Sequence, residues 1–135
     1  MMTSEITYLG DLRTECVHIE SQTAIITDAP KDNQGQGAAF SPTDLVATAL
    51  GSCMLTIMGI LARRENIDLV GTKVAVQKIM ESNPRRIGGI HITFRMPEGK
   101  TYSDKERRML ENAAKTCPVM YSLHADIDKQ IKFEW

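Results

Sequence analysis

The sequence lacks an excess of charge of one sign, closely spaced cysteines and a signal-peptide pattern in its first residues, and each lack argues against a class of protein. Sixteen Lys and Arg stand against 17 Asp and Glu, for a formal net charge of -1. A nucleic-acid binder normally carries a basic face to neutralise phosphates, so no nucleic-acid partner is expected. The three cysteines, Cys16, Cys53 and Cys117, form no C-x-x-C pair, and the three histidines, His18, His91 and His124, share no ligand spacing. Neither a disulfide framework nor a metal site is therefore expected. No block of like charge, low-complexity tract or fixed-period repeat occurs, and the scattered Arg-Arg pairs read as solvated faces. The start, "MMTSEITYLGDLRTE", lacks the charged, apolar and small-residue regions of a signal peptide. A cytoplasmic protein with reduced thiols is expected, its 135 residues forming one domain, 1–135.

What is present begins with a meander. Residues 4 to 9, 12 to 19 and 22 to 27 are short runs rich in Ile, Thr, Val and Tyr, separated by "GD" and "SQ". "DAPKDNQGQGAAF" then reads as a loop, opening at Asp28. Further on, residues 72 to 81 and 90 to 96 alternate apolar and polar, with "SNPRRIGG" as the turn of an antiparallel hairpin. "SDKERRMLENAAKTC" predicts a second helix with a capping box, Ser103 with Glu106, ended or kinked by Pro118. A short turn and a closing strand, "DIDKQIKFEW", complete an α+β domain with helices on one side of antiparallel sheet.

The longest apolar stretch is "SPTDLVATALGSCMLTIMGILARR", Ser41 to Arg64. Ser41 suits an N-cap, Pro42 the first helical position, and Asp44 the capping-box acid near the positive end of the helix dipole. The uncharged run from Leu45 to Ala62 reaches the length of a membrane span. Its threonines, serine and glycines and the absence of flanking aromatics argue instead for a core helix, with no membrane partner, enclosed by its own domain or a second subunit.

Cys53 lies mid-helix, about three turns past the cap, where the dipole gives little help to a thiolate and burial opposes one. It is a small core residue or a thiol that needs a cation brought from elsewhere. Cys117 precedes Pro118 where a helix can restart, so free N–H groups there could favour a thiolate; equally, it ends the apolar stripe of the second helix. Cys16, in a strand, reads as structural.

"SPTDLVATALGSC" followed by "ENAAKTCPVMYSL" resembles the OsmC/Ohr family, osmotically inducible protein C and the organic hydroperoxide resistance proteins. The order of the N-terminal strands, Gly-containing loop and last strand agrees. The resemblance implies an OsmC-like fold, antiparallel sheets around a long central helix, in an intertwined homodimer. It implies a thiol-dependent peroxidase for organic hydroperoxides, with Cys53 attacking the peroxide and Cys117 resolving the sulfenic acid to a disulfide. No cofactor is implied beyond an external dithiol reductant, typically lipoyl-linked. An apolar surround from Leu50, Met54 and Met58 favours alkyl or fatty-acid hydroperoxides. The family's strand arginine, which steadies the thiolate, matches Arg13 in "GDLRTE"; taken alone, Arg13 is an ordinary exposed strand residue. The glutamate that pairs with that arginine falls on Thr43 here, with Asp44 one residue on, about 100° further round the helix. Asp44 either substitutes for it or only caps. The alternative reading is a non-catalytic OsmC-like domain that binds a hydrophobic small molecule at the dimer interface.

Overall fold

The computed structural model describes residues 1–135 and divides into two compact units, Met1–Val46 and Ala47–Trp135. The first unit is the expected meander: β1 (Ser4–Gly10), β2 (Arg13–His18) and β3 (Ala24–Asp28), antiparallel in that order. At the β1–β2 turn Asp11 and Leu12 both have positive φ, 52° and 63°. These values suit a type I′ turn, whose twist matches that of the strands it joins. Leucine seldom adopts this left-handed conformation. It is held here by the Ala29 N–H, which donates to the Leu12 carbonyl at 3.2 Å. The loop after β3 contains one 3₁₀ turn, Lys31–Asn33.

Helix α1 (Pro42–Arg64) begins in the first unit and runs on through the second. Its start carries the predicted cap in full. The Ser41 N–H donates to Asp44 Oδ2 at 3.0 Å, and the Asp44 N–H donates to Ser41 Oγ at 3.1 Å. By length and composition α1 could cross a membrane, so it is packing that argues for a core helix. Ala47, Leu50, Gly51, Met54, Met58 and Ala62 form a buried stripe at helical spacing. The opposite stripe, Val46, Ala49, Ser52, Thr56 and Ile60, is exposed in the single chain. One side only of this helix is covered by its own chain.

The second unit sets that buried stripe on a sheet of β4 (Lys73–Glu81), β5 (Arg86–Arg95) and β6 (Asp128–Glu134), in that order. Gly51 is a point of close approach. A Cβ there would lie 2.9 Å from Val76 Cγ2 and 3.2 Å from Val74 Cγ1, inside ordinary contact distance, so helix and strand can meet only because that atom is missing.

Two expectations need correction. β5 starts at Arg86, earlier than its alternation suggests, because Gly88 and Gly89 continue the strand instead of ending the turn; Gly89 pairs with Ile79 beside a β-bulge. The last strand is parallel to its neighbour, pairing Gly89 with Asp128 through to Arg95 with Glu134. Parallel pairing requires a long crossover, and α2 (Asp104–Ala114) and α3 (Pro118–Ser122) provide it. The α+β class stands, with one mixed sheet. The α2 capping box is present as expected, Ser103 with Glu106. Phe94, Phe133 and Trp135 stack in a row with centroids 4.7 and 5.9 Å apart. Trp135 also donates its indole N–H to Glu111 at 2.8 Å, tying β6 to α2.

Candidate functional site

Two groups of side chains carry chemistry, one in each unit. In the second, the break between α2 and α3 sets Cys117 at the N-cap of α3, with Pro118 at the first helical position as its fixed φ favours. The Cys117 side chain is fully buried, whereas Cys53 is half-buried. The thiols of Cys53 and Cys117 lie near enough to act on each other's ionisation. α1 and the α2–α3 break thus bring together two cysteines far apart in sequence.

The electrostatics at Cys117 differ from those its N-cap position suggests. The Met120 N–H does donate to Cys117 Sγ, at 3.3 Å, and such a bond favours a thiolate. Burial is the larger effect, and the neighbouring Cys53 thiol acts in the same direction, so the Cys117 thiol is pushed above its ordinary range. Cys117 is held as the neutral S–H. Its raised pKa has a consequence for stability: the unfolded chain loses this proton at lower pH than the folded one. The contribution is therefore whole below about pH 8.5 and declines as pH rises through the folded value. Urea midpoints for wild type should fall between about pH 8.5 and 10 by more than those of Cys117→Ala; equal slopes would contradict the shift.

Leu50, Met54 and Met58 are wholly buried in the core with Ile90, Ile92 and Phe94. Cys53 packs against this cluster as a partly buried residue.

In the first unit, Arg13 opens β2 opposite Asp28 at the end of β3. Its Nε donates to Asp28 Oδ1 at 3.4 Å and its Nη2 to Gln36 Oε1 at 3.1 Å. Asp28 is 1% exposed, and its Oδ2 accepts the Ala38 N–H at 2.8 Å. That bond most of all, then Arg13, outweighs burial and holds the carboxyl below the usual carboxylate range. Sequence reasoning missed Asp28 by assigning it to the loop. The signal that could have found it was the hairpin register, which sets it across from Arg13.

Asp44, the remaining candidate, has its carboxylate in the α1 capping box. Cys16 lies on the other face of the meander from Arg13, beside Thr14 Oγ1 at 3.7 Å. With Ile6, Ile25 and Leu45 it lines a largely apolar cavity of about 540 Å³. No group of His, Cys, Asp and Glu is arranged to hold a metal.

Comparison with known proteins identifies the family. The model of the OsmC-like protein family matches residues 35–132, which include both cysteine motifs. The chain belongs to the OsmC-like family. A crystal structure from Psychrobacter arcticus 273-4, described as a candidate osmotic stress induced and detoxification response protein, shares 50% identity at a TM-score of 0.94, covering 99% of this chain and 96% of that one. The OsmC-like fold persists in remoter structures. One is an organic hydroperoxide resistance protein OsmC from Legionella pneumophila, 15% identical with a TM-score of 0.76, covering 100% of this chain and 98% of that one. Another is the organic hydroperoxide resistance protein OhrB of Bacillus subtilis, 16% identical with a TM-score of 0.67 and 98% of each chain covered. Among curated proteins no relative matches by sequence.

Proposed function

We propose that the chain is a thiol-dependent peroxidase for organic hydroperoxides, and the observation that carries this reading is the nearness of the Cys53 and Cys117 thiols, close enough to act on each other's ionisation. The Cys53 thiolate attacks the outer peroxide oxygen, the O–O bond breaks, and the alkoxide leaves as an alcohol after taking a proton. Cys53 is then a sulfenic acid. The neighbouring Cys117 thiol displaces hydroxide from that sulfur, which leaves as water, and a Cys53–Cys117 disulfide forms. A dithiol reductant, lipoyl-linked as the resemblance implies, restores both thiols by exchange and is itself oxidised to a disulfide. The division of roles follows from burial: Cys117, kept protonated, is suited to resolve, and the half-buried Cys53 to attack. Arg13 is proposed as the cation that assists the thiolate, and Asp44 as the residue that fixes the start of α1. A second copy of the chain is proposed to cover the exposed stripe of α1, in a cytoplasmic homodimer.

The test is mass spectrometry after one equivalent of cumene hydroperoxide. The expected product has lost two hydrogens and gives a Cys53–Cys117 cross-linked peptide. The apolar cavity around Cys16 favours a second reading, a non-catalytic domain that binds a hydrophobic small molecule. Under that reading the same experiment leaves both thiols free.

A further inference from the structure

The Arg13 cluster contains more organisation than an exposed strand arginine needs. A buried carboxylate is costly unless ionic or hydrogen-bonded partners meet it. Asp28 is 1% exposed and has such partners from two directions, the Arg13 Nε and the Ala38 N–H. The backbone on either side is pinned as well. The Asp28 N–H donates to the Phe40 carbonyl at 3.1 Å, and the Ala29 N–H donates to the carbonyl of Leu12, whose φ is 63°. A leucine kept in a sparsely populated conformation next to a polar cluster marks a place where the surroundings over-determine the backbone. Gln36 completes the arrangement from within the loop, accepting from Arg13 Nη2. The end of β3 and the loop that follows both meet the Arg13 guanidinium, and the β1–β2 turn is tied to the end of β3 through Leu12.

We propose that Asp28 is a positioning residue: it fixes the Arg13 guanidinium, and through Arg13 it sets the rate of the hydroperoxide reaction. The inference rests on the peroxidase reading for its kinetic part and on this cluster alone for its structural part. It also bears on the missing glutamate. Residue 43 is threonine, and a carboxylate that reaches Arg13 is supplied by β3.

Asp28→Asn is the informative change, because the amide keeps an oxygen for the Ala38 N–H while removing the charge that holds Arg13. Turnover of cumene hydroperoxide should be measured for wild type, Asp28→Asn, Arg13→Ala and the double variant. Misplacing a group that acts in the transition state costs on the order of tenfold to a hundredfold in kcat/KM, and Asp28→Asn should fall in that range. Since Asp28 acts through Arg13, the double variant should be no slower than Arg13→Ala. Unchanged turnover in Asp28→Asn, or losses that multiply fully in the double variant, would overturn the proposal.

A second measurement separates this inference from the reading beneath it. Solvent exchange of the Arg13 Nε–H, followed by NMR, should be slow in wild type and fast in Asp28→Asn. Fast exchange in the variant with no peroxidase activity in wild type sinks the peroxidase reading and leaves the fixing of Arg13 standing. Equal exchange in both proteins overturns the inference whatever the activity. Should Asp28→Asn not fold, the Asp28 carboxyl titration is compared between wild type and Arg13→Ala. A higher midpoint in the variant supports the pairing, and an unmoved one overturns it.

Discussion

Replacing Cys53 by serine is expected to abolish hydroperoxide consumption, a loss on the order of a thousandfold or more, while leaving the fold intact. Serine is close to isosteric with cysteine, and Cys53 is only half-buried on α1, so little packing is disturbed. The chemistry is lost for two reasons. A hydroxyl ionises far less readily than a thiol near neutral pH, and an oxygen cannot take up and give back peroxide oxygen as sulfur does. The companion change, Cys117→Ser, should behave differently. Cys53 would still attack once, but the sulfenic acid would meet no thiol at the site. The product should gain one oxygen, persist long enough to be trapped by dimedone, and oxidise further under excess peroxide. Stopped-flow consumption of cumene hydroperoxide with a lipoyl reductant reads the first effect, and intact mass reads the second. Full turnover by Cys53→Ser would end the assignment of the nucleophile. A complete catalytic cycle in Cys117→Ser would end that of the resolving thiol.

Replacing Phe94 by alanine is expected to be the most destabilising single change in the second unit. Phe94 is fully buried near the C-terminal end of β5 and stacks on Phe133 with ring centroids 4.7 Å apart. Removing a buried phenylalanine costs about 3–5 kcal/mol, through lost transfer free energy and the cavity left behind. The lost ring pair lies toward the upper end of that range. Against a total stability of about 5–15 kcal/mol, a large share disappears. With an m value near 2 kcal/mol per molar urea, the unfolding midpoint should drop by roughly 2 M at unchanged slope. Lys132→Ala, at an exposed position on β6, should move it by less than about 0.3 M. If Phe94→Ala lowers the midpoint no more than this control, the core is not built around β5 as described.

Local signals in the sequence were good guides. The three meander strands, both capping boxes and the restart at Pro118 all depend on residues within a few positions of one another, and all are present. What could not be read locally concerns partners distant in the chain. The direction of β6 depends on which strand it meets after the crossover, and its own alternation is the same either way. Gly88 and Gly89 look like turn residues until their pairing across the hairpin is known. At Cys117 the favourable N–H was legible, because it comes from the next turn of chain, but the burial that outweighs it was not. Asp28 is the clearest case. Its neighbours in sequence announce a loop, and its role as a buried counter-ion arises from Arg13, fifteen positions earlier.

The aromatic row along β6 has an optical consequence. Trp135 is the one tryptophan in the chain, and it lies against Phe133, edge-on to Tyr102 with centroids 5.5 Å apart, and beneath the Arg107 guanidinium at 5.9 Å. All of these partners belong to the unit that also carries Cys53 and Cys117. Its emission is therefore a native reporter for that unit. Undocking of α2 from β6 would remove the overlying Arg107 cation, which α2 carries. Loosening of the helix that leads into Cys117 would then show in the spectrum without an introduced label.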